Sequence, residues 1–216
     1  MQTPLNRSLK AEENFWNKQE KTYKKTIDLK YFQYEDFENK VICEVGCGAS
    51  AYIFNLKNAK KRIGIDPLID YYIKKKFIQN DNPSIVLINS TAERIIELEN
   101  ESVDIIFALN MLDHTENPKK VLDECFRILK NNGIIYIVCN IVRNILGPFR
   151  KLLWLIDKPH PHHFSKKDFY QMLSEFNYEL MFQEVKRVKY HNYSFKAKVG
   201  SKLMNEYTLI LKNHLS

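Results

Sequence analysis

Apolar residues along the chain fall into short runs that alternate with stretches of helical periodicity. Five of the runs are bounded by polar or glycine positions, which is typical of buried strands. They lie at residues 41–45, 62–65, 84–88, 103–108 and 134–139. The stretches with helical periodicity lie between them, at residues 50–57, 69–79, 92–98 and 118–130. The alternation predicts βαβ units, and therefore a doubly wound α/β fold around a mostly parallel sheet.

An N-terminal segment precedes this alternating core. Residues 8–27 carry apolar positions at three- and four-residue steps, which predicts an amphipathic helix with Ser8 as its N-cap. Together with a polar, aromatic connector this helix makes up residues 1–39. A core at residues 40–140 and a C-terminal part at residues 141–216 complete what we expect to be a single domain, since domains usually have about 100–200 residues.

The pattern changes in the C-terminal part. Residues 148–157 predict a short, very apolar helix, and residues 166–176 predict a second helix. Two further strands are predicted at residues 178–188 and 206–211. Only about seventeen residues without a helical pattern separate them, so we expect an antiparallel hairpin rather than another crossover. The complete sheet is then seven-stranded.

The composition excludes several classes of protein. Hydrophobic residues make up 44% of the chain and charged residues 27%, which argues against disorder and fibrous repeats. Four irregularly spaced cysteines favour neither a disulfide scaffold nor a paired-cysteine zinc site. The first residues resemble no secretory or transit signal, and no apolar run approaches the ~18 residues of a spanning helix. We therefore expect a cytoplasmic location and at most a peripheral membrane contact.

The net charge of +7 is concentrated in one part of the chain. Six cations fall within 17 residues that contain no acid, at Lys186, Arg187, Lys189, Lys196, Lys198 and Lys202. A phosphate-bearing substrate, an anionic membrane or nucleic acid would be attracted to this segment of the predicted hairpin. The alternative is a solvated loop in a lysine-rich protein.

The most informative motif is a glycine turn that directly follows the first predicted strand. Gly46 and Gly48 stand in a G-x-G-x-x-A pattern, which fits a nucleoside-binding turn and also a tight turn without a ligand. Glu44 precedes the turn by two residues. Its charge opposes a pyrophosphate by roughly 4 kcal/mol at 4 Å and attracts an ammonium group by as much. The motif therefore favours a cationic cofactor such as S-adenosylmethionine over NAD.

A second acid follows at the end of the next strand. Asp66 lies 20 residues after Gly46, the separation at which an acid meets ribose hydroxyls in such folds. Pro67 follows it, at a position that suits the first turn of a helix, so Asp66 is also a candidate helix N-cap. Both roles are compatible.

Four segments together resemble the class I S-adenosylmethionine-dependent methyltransferases. They are VICEVGCGAS at residues 41–50, IGIDPL at 63–68, NSTAERI with ENESVDIIFALNMLDH at 89–95 and 99–114, and NPKKVLDECFRILKNNGIIYI at 117–137. The resemblance covers roughly residues 40–180. It is to the small-molecule group that includes quinone-biosynthesis and natural-product methyltransferases, with a Rossmann-like fold.

The resemblance implies a binding site for S-adenosylmethionine, with S-adenosylhomocysteine as the product. Its amino-acid end is expected near the glycine turn, its ribose at the end of the second strand, its adenine after the third strand and its methionine part after the fourth. The corresponding residues are Glu44, Gly46, Cys47 and Gly48; Asp66 and Pro67; Thr91, Ala92 and Glu93; and Asn110 and Met111. Thr91 departs from the family, which often has an acid there.

Histidines supply the candidates for a catalytic base. His163 precedes Phe164 and Ser165 in a loop that faces the active-site mouth in the family, and His162 is the next candidate. His114 matches the histidine of the family's Leu-Glu-His signature. These histidines can equally be structural loop residues. We expect no metal site, because no carboxylate or cysteine accompanies the loop histidines in the sequence.

The expected function is methyl transfer to a small-molecule or carrier-linked acceptor, with oxygen as the expected acceptor atom and nitrogen and carbon as open alternatives. The apolar segment at residues 145–156 and the N-terminal helix are candidates for a lid over an apolar, anionic or lipid-linked acceptor. The rivals are an RNA methyltransferase that uses the basic hairpin, a non-catalytic cofactor-binding protein and, more distantly, an NAD oxidoreductase. Base amino-methyltransferase motifs are absent after the fourth strand. The pattern does not determine the oligomeric state.

Overall fold

The computed structural model describes residues 4–18, 37–143, 160–188 and 203–214. Seven strands within these residues form one sheet. In chain order they are β1 (Val41–Val45), β2 (Lys61–Ile65), β3 (Ile85–Ile88), β4 (Val103–Leu109), β5 (Leu129–Val142), β6 (Tyr178–Arg187) and β7 (Met204–Asn213). Their order across the sheet is β3-β2-β1-β4-β5-β7-β6. β1 to β5 are parallel, whereas β7 runs antiparallel between β5 and β6, which confirms the predicted fold.

Helices cover both faces of the sheet. They are α1 (Pro4–Lys18), α2 (Ile69–Lys74), α3 (Pro118–Ile128) and α4 (Lys166–Leu173). Successive residues of β1 point to opposite faces, so that Ile42 packs with Trp16 of α1 and Tyr72 of α2, while Cys43 packs with the face covered by Leu122 of α3. The buried strands therefore read as continuous apolar runs, as the sequence predicted.

Two of the predicted helices are wrong. Residues 50–57 form only a short 3-10 helix, Tyr52–Asn55, in which the Ile53 N–H donates to the Glu44 carboxylate at 3.1 Å. Residues 92–98 form turns, because side chains of α3 bind the main chain there. Ile95 N–H donates to Glu124 at 2.7 Å, and Arg127 donates to Ile95 C=O at 2.8 Å. Tertiary contacts thus take the groups that a helix would have paired.

Several boundaries also differ from the predictions. α2 ends at Lys74, because Lys76 adopts a left-handed conformation with φ of 58°. α3 ends at Ile128, since residues from Leu129 onwards pair in the longer β5. The helix predicted at 166–176 stops at Leu173. β5 also extends three residues beyond its predicted end, to Val142, whereas the other six strands begin and end within two residues of their predicted positions.

The N-terminal helix begins earlier than predicted. It begins at Pro4, a residue suited to the first turn of a helix, so Ser8 lies inside the helix, where it is buried, and is not the N-cap. Residues 19–27 of that prediction and the predicted lid helix at 148–157 lie outside the described residues. None of the helices in the described part of the chain is long and apolar enough to cross a bilayer.

Candidate functional site

The carboxyl ends of β1, β2 and β4 meet at one edge of the sheet and open into a chamber. Most of its lining comes from the turns after these strands and after β3, and α1 supplies the rest. The lining residues are Ser8, Leu9, Glu12, Gly46, Asp66, Pro67, Leu68, Thr91, Ala92, Glu93, Asn110, Met111, His114 and Thr115. We call this space the donor chamber.

The glycine turn forms the floor of the donor chamber. Gly46 and Gly48 have φ of 66° and 62°, values that other residues rarely adopt. A Cβ atom on Gly46 would lie 2.6 Å from the Met111 Cβ, so the chain can approach Met111 only without a side chain at this position. The Gly46 and Cys47 N–H groups both donate to the Ile65 C=O, at 2.8 and 3.1 Å. These bonds hold the turn against the end of β2.

Asp66 connects the glycine turn to the turn after β2. One carboxylate oxygen accepts from the Gly48 N–H at 3.0 Å, and the other accepts from the Leu68 N–H at 2.9 Å. Asp66 is therefore not the N-cap of α2, a position that Leu68 occupies, and instead forms a turn with the residue two positions on. Each oxygen can accept a second hydrogen bond, which fits a ribose hydroxyl at this wall of the chamber.

Of the glycine turn only Gly46 is among the described lining of the chamber, which does not include Glu44, Cys47 or Gly48. Glu44 is fully buried, and its carboxylate accepts from the Ile53 N–H. Burial raises the pKa of Tyr52 to about 12, and the negative charge of Glu44 contributes to this rise to a smaller extent. In this conformation Glu44 supports the turn from within the core, so any effect on a ligand ammonium acts through the intervening turn.

The expected adenine and methionine positions do line the chamber. Glu93 accepts from the Glu116 and Asn117 N–H groups, at 2.8 and 3.2 Å, and so connects the turn after β3 to the start of α3. Asn110 has a left-handed φ of 52°, and its N–H donates to Val138 C=O at 2.8 Å. Thr91, Ala92 and Met111 complete these walls.

Sequence reasoning missed the part of the lining that α1 contributes. Ser8, Leu9 and Glu12 face the donor chamber, whereas α1 was expected to cover the acceptor. Trp16 donates to Glu12 at 2.7 Å, and its ring is the nearest neighbour of the space beside Gly48. The four-residue spacing of Glu12 and Trp16 was visible in the sequence, but nothing in it indicated which surface this helix covers.

A smaller hollow adjoins the donor chamber. It is lined by Asp113, Asn140, Val142, His160, His162, His163 and Met204, and we call it the histidine hollow. His114 lines the donor chamber, and its ring contacts the His160 ring with centroids 4.4 Å apart. The three predicted histidines are therefore brought to one region, although His114 lies in a different loop from the other two.

His162 is held by the main chain. Its Nε2 lies 3.0 Å from the Thr115 C=O, and a carbonyl can only accept, so a neutral His162 carries its proton on this nitrogen. Its backbone N–H donates to the Asp113 C=O at 3.4 Å, and its ring stacks on Phe164. These contacts connect the loop that carries His162 and His163 to the turn after β4.

The charge of both spaces is one-sided. Glu12, Asp66 and Glu93 line the donor chamber and Asp113 lines the histidine hollow, whereas neither lining includes a lysine or arginine among the described residues. Of the basic segment at 186–202, only Lys186 and Arg187 lie in β6, and Lys186 pairs with Glu184 at 3.0 Å. Positions 189–202 lie outside the described part of the chain.

Known proteins resemble this chain in sequence and in fold. Residues 43–137 match a family model described as a methyltransferase domain. A tRNA U34 carboxymethyltransferase of Campylobacter hominis is 28% identical over 127 residues, which is 58% of this chain and 44% of the relative. The chain therefore spans less than half the length of that relative.

Solved structures reproduce the fold across nearly the whole chain. A Bacillus halodurans protein has a TM-score of 0.69 at 16% identity, over 86% of this chain and 98% of its own. A SAM-dependent methyltransferase of Methanosarcina mazei has a TM-score of 0.67 at 16% identity, over 89% and 100% of the two chains. At this identity the likeness establishes the fold.

Proposed function

The chain belongs to the class I S-adenosylmethionine-dependent methyltransferases, and from this premise we propose that the donor chamber binds S-adenosylmethionine for methyl transfer to a small-molecule acceptor beside the histidine hollow. The charge of the lining carries this proposal. Glu12, Asp66 and Glu93 attract a cation, and the described lining offers no lysine or arginine to a phosphate. A sulfonium donor and an acceptor without phosphates at the reacting end fit these charges.

Each part of the chamber has a role toward the donor. We propose that Asp66 accepts from the ribose hydroxyls, that Thr91, Ala92 and Glu93 surround the adenine, and that the turn at Gly46, Cys47 and Gly48 receives the amino-acid end. Pro67 extends the ribose wall, and Asn110 and Met111 direct the methionine part. Bound S-adenosylmethionine supplies a methyl group whose bond to sulfur breaks as the acceptor atom bonds to the carbon, leaving S-adenosylhomocysteine.

The histidine hollow then serves the acceptor. An acceptor hydroxyl must lose its proton when it attacks, and we propose that His163 takes that proton, with His162 holding the loop in place. His114, at the boundary of the two spaces, is the alternative base. Positioning the acceptor contributes most, since alignment alone is worth about 7–11 kcal/mol in such displacements.

A tRNA acceptor is the second candidate, and the names of relatives such as the Campylobacter hominis protein favour it. The charge of the donor chamber does not separate the two candidates, because S-adenosylmethionine carries a carboxylate at its amino-acid end just as a carboxymethyl group does. A tRNA would also require a phosphate-binding surface, for which the basic segment at 186–202 is the available stretch.

Calorimetry and labelled transfer test the proposal. We expect S-adenosylhomocysteine to bind and NAD not to bind, and Asp66→Ala to weaken binding by at least about tenfold, the equivalent of one net hydrogen bond to a charged group. The distant His214→Gln variant should bind normally. Binding of NAD alone would overturn the assignment of the donor chamber.

Labelled-methyl transfer into an extract of the native cell then identifies the acceptor. We expect label in small-molecule or lipid fractions, insensitive to ribonuclease, and its loss in His163→Ala at unchanged affinity for S-adenosylhomocysteine. His162→Ala should lose less turnover if its role is positional. Label that ribonuclease removes would replace the small-molecule proposal with the tRNA candidate.

A further inference from the structure

We propose that Asp113, His114 and His160 form a binding site for a divalent transition-metal ion between the donor chamber and the histidine hollow. One ligand atom from each residue lies within 4.8 Å of the other two. The site uses a 3-10 turn, Leu112–His114, and a loop residue 46 positions further along the chain. The proposal concerns metal binding alone and does not depend on which acceptor the protein uses.

The state of the Asp113 carboxylate is the strongest support. Asp113 is only 4% exposed, yet its Oδ1 receives no hydrogen bond from any described residue. His114 Nε2 lies 3.9 Å from this oxygen, too far for a hydrogen bond. A buried acceptor without a partner costs about 1–3 kcal/mol, and more when it is charged. A bound cation removes this cost.

A second buried oxygen lies at the same hollow. Asn140 Oδ1 also receives no hydrogen bond from the described residues, and Asn140 and Asp113 both line the histidine hollow with His160. The hollow is thus lined by a histidine and by two oxygens that receive no hydrogen bond from the described residues, and these groups together can bind a cation. A Lys or Arg that could serve instead is absent from the described lining.

The ligand types indicate which ion fits. Two imidazoles and one carboxylate are the set that zinc, iron and related first-row ions prefer, whereas Mg²⁺ and Ca²⁺ prefer oxygen ligands alone. Ligand atoms of zinc lie about 2.0–2.2 Å from the ion, so small side-chain rotations would bring the three atoms together. We expected no metal because no carboxylate accompanies the loop histidines in the sequence. The fold brings the Asp113 carboxylate close to His160 and so supplies the missing ligand type.

The position of the site gives it a consequence for the reaction region. His114 also lines the donor chamber, so an ion bound to it would stand at the chamber wall. It would fix the His160 loop to the turn after β4 and occupy the ring nitrogen with which His114 could otherwise accept a proton. His163 would then be the base that remains in the hollow.

Metal titration of the untagged full chain tests the site. We expect one equivalent of Zn²⁺ to bind by calorimetry, and Co²⁺ to give visible absorption of a nitrogen and oxygen site. Loss of a hydrogen-bonding partner of a ligand already weakens metal affinity about 10–100-fold, so Asp113→Asn and His160→Gln should each weaken Zn²⁺ by at least about 100-fold. A thiolate-to-cobalt charge-transfer band would place the ion on a cysteine and overturn the proposal.

A matched control comes from the other end of the chain. His214 and Glu179 form an exposed histidine and carboxylate pair, with Nε2 and Oε2 3.6 Å apart, and His214→Gln should leave Zn²⁺ binding unchanged. S-adenosylhomocysteine binding reports folding of every variant. Equal Zn²⁺ affinity in the native protein and in Asp113→Asn, with S-adenosylhomocysteine still bound, would refute the metal site and leave the donor chamber standing.

Discussion

The donor chamber and the histidine hollow are neighbours that treat their acids in opposite ways. Asp66 in the donor chamber accepts from two main-chain N–H groups, and Glu93 accepts from two others. Asp113 in the hollow keeps one buried oxygen without a donor from the described residues. The first arrangement is complete before a ligand arrives, whereas the second becomes complete only with a cation. The same edge of the sheet therefore carries acids that the protein already satisfies and one acid that a bound cation would satisfy.

The largest effect on stability is expected at Gly46, where the wall of the donor chamber has no room for a side chain. Gly46→Ala combines a left-handed φ with a contact of 2.6 Å to the Met111 Cβ. Backbone strain costs about 1–3 kcal/mol and overpacking about as much, so we expect a loss of about 2–6 kcal/mol in urea unfolding. Gly48→Ala should cost less, because its nearest neighbour, at 3.3 Å, is the Trp16 side chain. Equal losses would show that the turn, and not Met111, sets the constraint.

Paired amide substitutions test the comparison directly. Asp66→Asn leaves one main-chain N–H facing an amide group that cannot accept, so we expect a loss of about 1–3 kcal/mol in the free energy of unfolding. Asp113→Asn in metal-free protein should be neutral or stabilising, since it removes a buried charge on an oxygen without a donor. Urea unfolding in the presence of a chelator measures both. A loss in Asp113→Asn as large as in Asp66→Asn would break the contrast.

A smaller effect is expected at the contribution of α1 to the donor chamber. Trp16→Phe removes the hydrogen bond to Glu12 and should weaken S-adenosylhomocysteine about fivefold, equivalent to about 1 kcal/mol. Glu12→Gln keeps an acceptor for Trp16 and removes the charge. Calorimetry on both variants separates the effect of the hydrogen bond between Trp16 and Glu12 from the effect of the Glu12 charge. Unchanged affinity in both would mean that α1 covers the chamber without contributing to binding.

The smallest effect concerns a carboxylate at the opposite edge of the sheet. Burial acts to raise the pKa of Asp104, but the hydrogen bonds from Lys130 and Val41 N–H, both at 2.8 Å, outweigh it and lower the pKa. Its stabilising contribution is therefore present above the unfolded pKa of about 3.9 and is lost as the pH falls through the folded value. We expect Asp104→Asn to cost under about 1 kcal/mol at neutral pH.

The acid limb of the unfolding curve measures this contribution. Stability of the native protein should approach that of Asp104→Asn as the pH falls below about 3.9. A constant difference between the two proteins down to the acid limit would show that the carboxylate contributes through packing rather than charge. Asp104 thus serves as a control, because it is an acid whose carboxylate accepts hydrogen bonds and which lines neither the donor chamber nor the histidine hollow.

Local sequence was sufficient for the parallel half of the sheet. Apolar runs with glycine or polar ends predicted β1 to β4 within two residues, and the separation of Asp66 from Gly46 predicted that both would line one site. These features are local because a buried strand and its following turn are specified by their own residues. The helices predicted at 50–57 and 92–98 failed because Glu44, Glu124 and Arg127 bind their main chain from elsewhere.

By itself, the sequence determined the doubly wound fold, the glycine turn and the acid at the end of β2. Only the tertiary structure decided that α1 covers the donor chamber, that Glu44 is buried and does not line it, and that Asp113 faces His160. The physical reason is that strand patterns and tight turns depend on neighbours within a few residues, whereas a chamber collects side chains from strand ends and loops far apart in the chain. Packing around the sheet, rather than local periodicity, brings such residues together.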